Sequence, residues 1–170
     1  MERMDEFLNL LKSRKLEKKW QKSFPDEVER QKWKSVTSDP ETARKWSELG
    51  FGPREAKRWM NYGFLDPADA VWWAEWQFTP ARAKKWCEAL VTNPEEAAAW
   101  EELSFGPREV VNWKRAGIHD PDEAASWKNV MDEFGLGLES ILRWKRRGYE
   151  PEEVRSVLRI RKKGSGGKDA

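Results

Sequence analysis

Residues 39–119 read DPETARKWSELGF, GPREAKRWMNYGFL, DPADAVWWAEWQF, TPARAKKWCEALVT, NPEEAAAWEELSF and GPREVVNWKRAGIH, six segments laid end to end. Each carries a Pro in second place and sets a Trp six residues after it. The prolines at 40, 53, 67, 80, 94, 107 and 121 alternate in spacing between 13 and 14, so the period is 27 residues, built from two unlike halves. Half A begins Asp-Pro or Asn-Pro, and half B begins Gly-Pro or Thr-Pro. A fixed short period of this kind marks a unit that cannot bury its own apolar face and must stack on copies of itself.

Each half fits a short helix. Asp39, Asp66, Asn93 and Asp120 suit the N-cap, and the Pro after each takes the first helical position, where its missing N–H is harmless. Ala43, Ala70, Ala97 and Ala124 lie three residues before the A-half Trp; Leu49, Trp76, Leu103 and Val130 lie three after it. That spacing predicts one apolar stripe through all three positions. Gly50, Gly63, Gly117 and Gly148 suit left-handed helix ends, and Phe51, Phe78, Phe105 and Phe134 are expected to pin the corner into the next half. Helices this short are marginal alone, so stacking must hold them. The expected core is Trp46, Trp59, Trp73, Trp86, Trp100, Trp113, Trp127 and Trp144.

Outward from this ladder, residues 20–150 read as about five two-helix repeats, beginning with a degenerate B half around Trp33. Residues 1–20 form an expected N-terminal capping helix with Phe7, Leu8, Leu10, Leu11 and Leu16 at helical spacing. Lys12, Arg14, Lys15, Lys18 and Lys19 decorate it, but Asp5, Glu6 and Glu17 interrupt the charge, so a membrane-surface role is not expected. Residues 151–163 read as a C-terminal capping helix and 164–170, GSGGKDA, as a flexible tail. Between Trp127 and Trp144 the spacing widens to 17, which reads as decay of the repeat near its end.

The fold class is therefore all-α, an α-solenoid of tandem 27-residue repeats. At this level the chain resembles the two-helix α-solenoid superclass that includes tetratricopeptide, pentatricopeptide and mitochondrial termination-factor-like proteins. The resemblance covers Trp20 to about Lys163 and carries over no functional residue. The unit is shorter than the roughly 34 residues of a tetratricopeptide.

Chemistry is sparse. One His (His119) and one Cys (Cys87) make a zinc site or a Cys–His nucleophile improbable, and no phosphate-cradling glycine loop is present. No catalytic residue, cofactor, metal or small-molecule substrate is expected, and the chain reads as a non-enzyme. The single Cys excludes an internal disulfide and suits a reducing compartment. With no signal, membrane-spanning or lipidation pattern read, the expectation is a soluble intracellular protein, cytoplasmic or imported into an organelle, with no membrane partner.

Charge is the informative feature. The A halves (39–51, 66–78, 93–105, 120–134) hold 3 Lys and Arg against 15 Asp and Glu; the B halves (52–65, 79–92, 106–119, 135–149) hold 13 against 4. At about 100° per residue, Arg54, Lys57, Lys84, Arg108, Arg115 and Arg146 fall on the side of the B helix away from its Trp, with Arg58, Lys85 and Arg143 on the flank. These nine form a candidate anion-binding or nucleic-acid face. Trp72, beside the core Trp73, is a candidate aromatic anchor. The expected function is a non-catalytic repeat scaffold that engages an extended protein partner. The alternative is a solenoid binding RNA, or less so DNA, through the basic B face.

Overall fold

Eleven α-helices and no strand make up residues 1–166, the part of the chain described by the computed structural model. In chain order they are α1 (Glu2–Ser23), α2 (Glu27–Lys34), α3 (Pro40–Glu48), α4 (Pro53–Asn61), α5 (Pro67–Glu75), α6 (Pro80–Glu88), α7 (Pro94–Glu102), α8 (Pro107–Arg115), α9 (Pro121–Phe134), α10 (Leu138–Arg146) and α11 (Pro151–Ser165). The A halves supply α3, α5, α7 and α9, and the B halves supply α4, α6, α8 and α10, with α2 as the degenerate first B helix. The chain divides into two compact units, Met1–Lys84 and Lys85–Ala170. In the first, α1 packs on α2 and α3, and α3 on α4; in the second, α9 packs on α10 and α11.

The repeated hexapeptide spacing is explained by how each helix begins and ends. In α3 the Asp39 carboxylate accepts from the backbone N–H of Glu41 and Thr42. The Asn93 side chain likewise accepts from Glu95 and Glu96 in α7, while Asp66 and Asp120 each accept from one amide, that of Ala68 in α5 and of Asp122 in α9. At the other end of α3, the N–H of Gly50 donates to Ser47 O and that of Phe51 to Trp46 O, at 3.0 and 3.1 Å. This is a Schellman ending with Trp in the third-from-last place and an apolar residue just past the turn. The same bond to the Trp carbonyl comes from Phe64, Phe78, Val91, Phe105, Ile118 and Tyr149. The paired rings meet edge to face, Trp46–Phe51, Trp59–Phe64 and Trp73–Phe78 all at 5.0 Å. In these helices the Trp thus closes its own helix, and every such Trp but Trp144 also fills the core.

The left-handed turn residue is Gly at 50, 63, 117 and 148, as the sequence predicts. Gln77, Leu90 and Ser104 adopt the same conformation without the freedom of glycine.

Seven of the eight expected core tryptophans are buried, and Trp20 and Trp33 join them. The Ala three residues before each A Trp is buried too, the small neighbour that lets another helix approach. The eighth, Trp144, is only half-buried: in α10 the core is filled instead by Ile141 and Leu142, and the Trp144 ring rests on the exposed Tyr149.

Three further expectations change. Leu49 and Trp76 are not core but 47% and 42% exposed, and Leu103 is half-buried. All three are C-cap residues, placed where the helix has already stopped. Val130 is buried because α9 continues beyond it to Phe134, so the stripe reaches it intact. The widened spacing before Trp144 is therefore helix, α9 having 14 residues where α7 has 9. Finally, α11 runs to Ser165, taking in the first two residues of the expected tail, whose residues 167–170 lie outside those described.

Candidate functional site

The cations of the B helices fall into two groups. The first follows the Trp directly and turns back toward the preceding A-series helix. Lys34 Nζ meets Glu17 on α1 at 2.6 Å, Lys114 Nζ meets Glu96 on α7 at 2.6 Å, and Lys145 pairs with Glu123 on α9. Lys114 also donates to the Leu90 carbonyl. These charges lock hairpins and are not available to a partner.

The second group points out. Arg54, Lys57, Arg58, Lys85, Arg108, Arg115 and Arg143 are exposed and form no ion pair among the described residues. Arg146 reaches Glu139 only at 3.8 Å between two highly exposed side chains, a contact worth little in water. Lys84 is exposed and has an interaction partner of its own. Arg54 and Arg108 stand in the first turn of α4 and α8, one place after the N1 proline. Backbone N–H groups make that end of a helix positive, so a cation there is opposed by about 0.3–1 kcal/mol. Helix energetics does not place them.

Much of this group lines a groove that recurs between successive B helices. In the first unit, Lys32, Ser35 and Val36 of the α2 end face Gly52, Pro53, Arg54, Lys57 and Arg58 of α4. In the second unit, Lys85, Glu88 and Ala89 of α6 face Gly106, Pro107, Arg108 and Val111 of α8. A third groove sets Asn112, Arg115 and Ala116 of α8 against Leu138, Glu139, Leu142 and Arg146 of α10. Counted from each Trp, the shared positions are one before, two after and three after on one helix, then six, five and two before on the next. All three are open to solvent, with volumes of about 790, 520 and 590 Å³. The floors are apolar (Val36, Ala89 with Val111, Ala116 with Leu142) and the rims mainly cationic, each also holding one carboxylate (Glu55, Glu88 and Glu139).

Of the nine residues expected to form the basic face, Arg54, Lys57 and Arg58 are brought together in the first groove. Lys85 and Arg108 share the second, and Arg115 and Arg146 the third. Lys84 and Arg143 line none of these. Lys32 was missed, although it precedes Trp33 as Arg58 precedes Trp59 and Lys85 precedes Trp86; only the weak B-half signature around it hid the signal.

The A helices differ. Glu41 and Glu48 flank Arg44 in ion pairs, and Arg44 holds the Glu41 carboxyl below its ordinary range. The Asp39 carboxyl is lowered first by the hydrogen bond from the Thr42 hydroxyl; desolvation opposes this, and the two capping amides add to the lowering. The expected anchor Trp72, on α5, is 42% exposed, and Trp76, the C-cap residue of that helix, is equally exposed.

No group of His, Cys, Asp or Glu arranged to hold a metal ion occurs among the described residues, and none of their helices is long and apolar enough to cross a membrane. Fold and surface together define a two-helix repeat protein with recurrent basic grooves. Comparison of the chain with protein-family models, curated proteins and solved structures finds no match to any of them.

Proposed function

We propose that the chain is a non-catalytic helical-repeat binding module whose B-helix grooves take an extended, acidic polypeptide with apolar side chains at intervals. The observation that carries this reading is the recurrence of one groove, at one set of positions, in three pairs of B helices. A stacked repeat presents its binding positions at regular steps, which suits a partner that is itself extended. The apolar floors favour a polypeptide over a nucleic-acid backbone. A phosphate chain gains from the rim cations but has nothing to place on Val36, Val111 or Leu142. The grooves also carry no exposed aromatic ring on which a base would stack.

A labelled peptide of alternating Glu and Leu blocks, titrated against the full chain with single-stranded poly-U as competitor, tests the reading. The expected result is salt-dependent peptide binding, lost in the double variant Lys57→Glu, Arg58→Glu, with an unchanged circular dichroism spectrum. Poly-U held as tightly as the peptide, and lost in the same variant, would instead support the nucleic-acid alternative. Peptide binding that survives the double variant would remove the α2–α4 groove from the site.

A further inference from the structure

A run of exposed apolar side chains lies along α1. Met4, Phe7, Leu8 and Leu11 are all exposed, Phe7 by 57%, along a helix that runs unbroken from Glu2 to Ser23. Only Trp20, near its other end, is buried against the body of the first unit. At about 100° per residue, Trp20 points about 160° away from Met4, so the Met4–Leu11 stripe faces away from the fold.

Along the chain the charges of α1 look mixed, but around the helix they separate. Lys12, Arg14, Lys15, Lys18, Lys19 and Lys22 all fall within about 80° of the Met4 direction. Glu2, Asp5, Glu6 and Glu17 lie about 100° or more from it. Glu17, moreover, is occupied by Lys34 and Arg30 of α2. The three carboxylates that interrupt the basic run in the sequence therefore leave the outward side untouched. On α1 itself that side is apolar over the first turns, basic over the later ones and without a carboxylate. Lys19 and Lys22, near its end, line a groove with Asp39, Glu41 and Glu48 of α3, which leaves Lys12, Arg14, Lys15 and Lys18 for a partner.

We propose that this side of α1 docks on an anionic lipid surface, with Met4, Phe7, Leu8 and Leu11 entering the headgroup–acyl boundary and the lysines lying over the headgroups. Two features favour lipid over a protein groove or a second copy. With Met1 and Leu10, both exposed, the apolar arc of the first turns covers about half the circumference, wider than the stripe a packed helix normally buries. The outward side of a second α1 would bring lysines to lysines with no carboxylate between them. An interfacial helix needs this pairing of apolar surface with cations, since either alone binds weakly and reversibly. The lipid reading is independent of the B grooves.

The test is co-sedimentation of the full chain with vesicles of phosphatidylcholine alone and of phosphatidylcholine mixed with phosphatidylserine. The chain is expected to pellet with the mixed vesicles only and to be released by high salt. Phe7→Glu with Leu8→Glu should lower the pelleted fraction at least about tenfold, and Lys15→Glu with Lys18→Glu should do the same. Both pairs are exposed, so helicity should not change. The variant Lys57→Glu, Arg58→Glu, which disables the B groove, should pellet like the unaltered chain. The proposal is overturned if the unaltered chain stays in solution with mixed vesicles, or if the α1 variants pellet as it does. Retention of α1 by polyglutamate or by a second copy, with no vesicle binding, would overturn it too.

Discussion

In α3 the Asp39 side chain caps two backbone amides; in α4 the equivalent residue is Gly52, which caps none. The contrast repeats, with Asp66, Asn93 and Asp120 against Gly106 and Gly137, while in the B helix α6 the Thr79 hydroxyl does accept from the Arg82 N–H. Both kinds of helix place Trp at the same step from the start, and all but α9 end on it in the same way, yet their charges have different origins. Many acidic residues on the A helices serve as caps, sit in first turns where the helix dipole favours them, or receive the hairpin lysines, although Glu75 and Glu102 close α5 and α7. On α2, α8 and α10 one cation (Lys34, Lys114 or Lys145) is spent on the hairpin, and B-helix cations in the last turn suit the dipole. Arg54, Lys57 and Arg108 answer to neither need. The lesson is that net charge alone does not mark a binding surface; charge that the fold does not use does.

The largest expected effect tests what the two helix types share. Trp86, buried in α6 with its indole N–H on Glu101 at 2.9 Å, should cost about 3–5 kcal/mol on replacement by Ala, read by urea denaturation. Trp144→Ala should cost about half as much, because that ring is only partly removed from water. Equal costs would mean that α10 packs as tightly as α6 and that the repeat does not loosen toward its end.

How far the sequence speaks for itself follows from what each signal encodes. The Pro-to-Trp step encodes the length of a helix from first turn to Schellman ending, so helix order, caps and Gly50, Gly63, Gly117 and Gly148 are all legible. What lies beyond the helix end is not. Trp76 was placed in the core by counting three more residues along a helix that stops before it. The widened spacing before Trp144 reads as decay of the repeat, yet the residues ahead of its glycines extend α9. The outward cations were legible by angle, since nine of them were found from spacing alone. Their sorting into paired and unpaired was not, because Lys114 and Arg115 are neighbours in sequence and only one of them meets a carboxylate.

A smaller effect separates the two helix types at their starts. Asp39→Ala should lower stability by about 1 kcal/mol at neutral pH, whereas Gly52→Asp, giving a B helix the A cap, should raise it by a few tenths. The backbone of Gly52 is already extended and a side chain there meets nothing, so the added carboxylate is free to cap. The first difference depends on pH in a known direction. The Asp39 carboxyl titrates below its ordinary value in the folded chain. Its contribution is whole above the unfolded value and is lost as pH falls through the folded one. Denaturation curves of Asp39→Ala and the unaltered chain should therefore converge in acid. Curves that stay parallel would mean that the loss comes from packing, not from the cap.

The smallest effect in stability cuts closest to function. Arg54 lies at the positive end of α4, and Arg58 lies in its last turn. Reversing the first, Arg54→Glu, should stabilise the fold by about 0.3–1 kcal/mol, since the new carboxylate suits the helix start and faces Arg58 four residues on. Reversing the second, Arg58→Glu, should destabilise it by a similar amount, which a pair of thermal melts at low salt can resolve. Both should weaken the acidic peptide. A residue whose removal strengthens the fold and abolishes binding is held in place by something other than the fold. If Arg54→Glu lowers the melting temperature instead, then Arg54 has a structural role on α4, and the distinction between used and unused charge fails at the residue where it is sharpest.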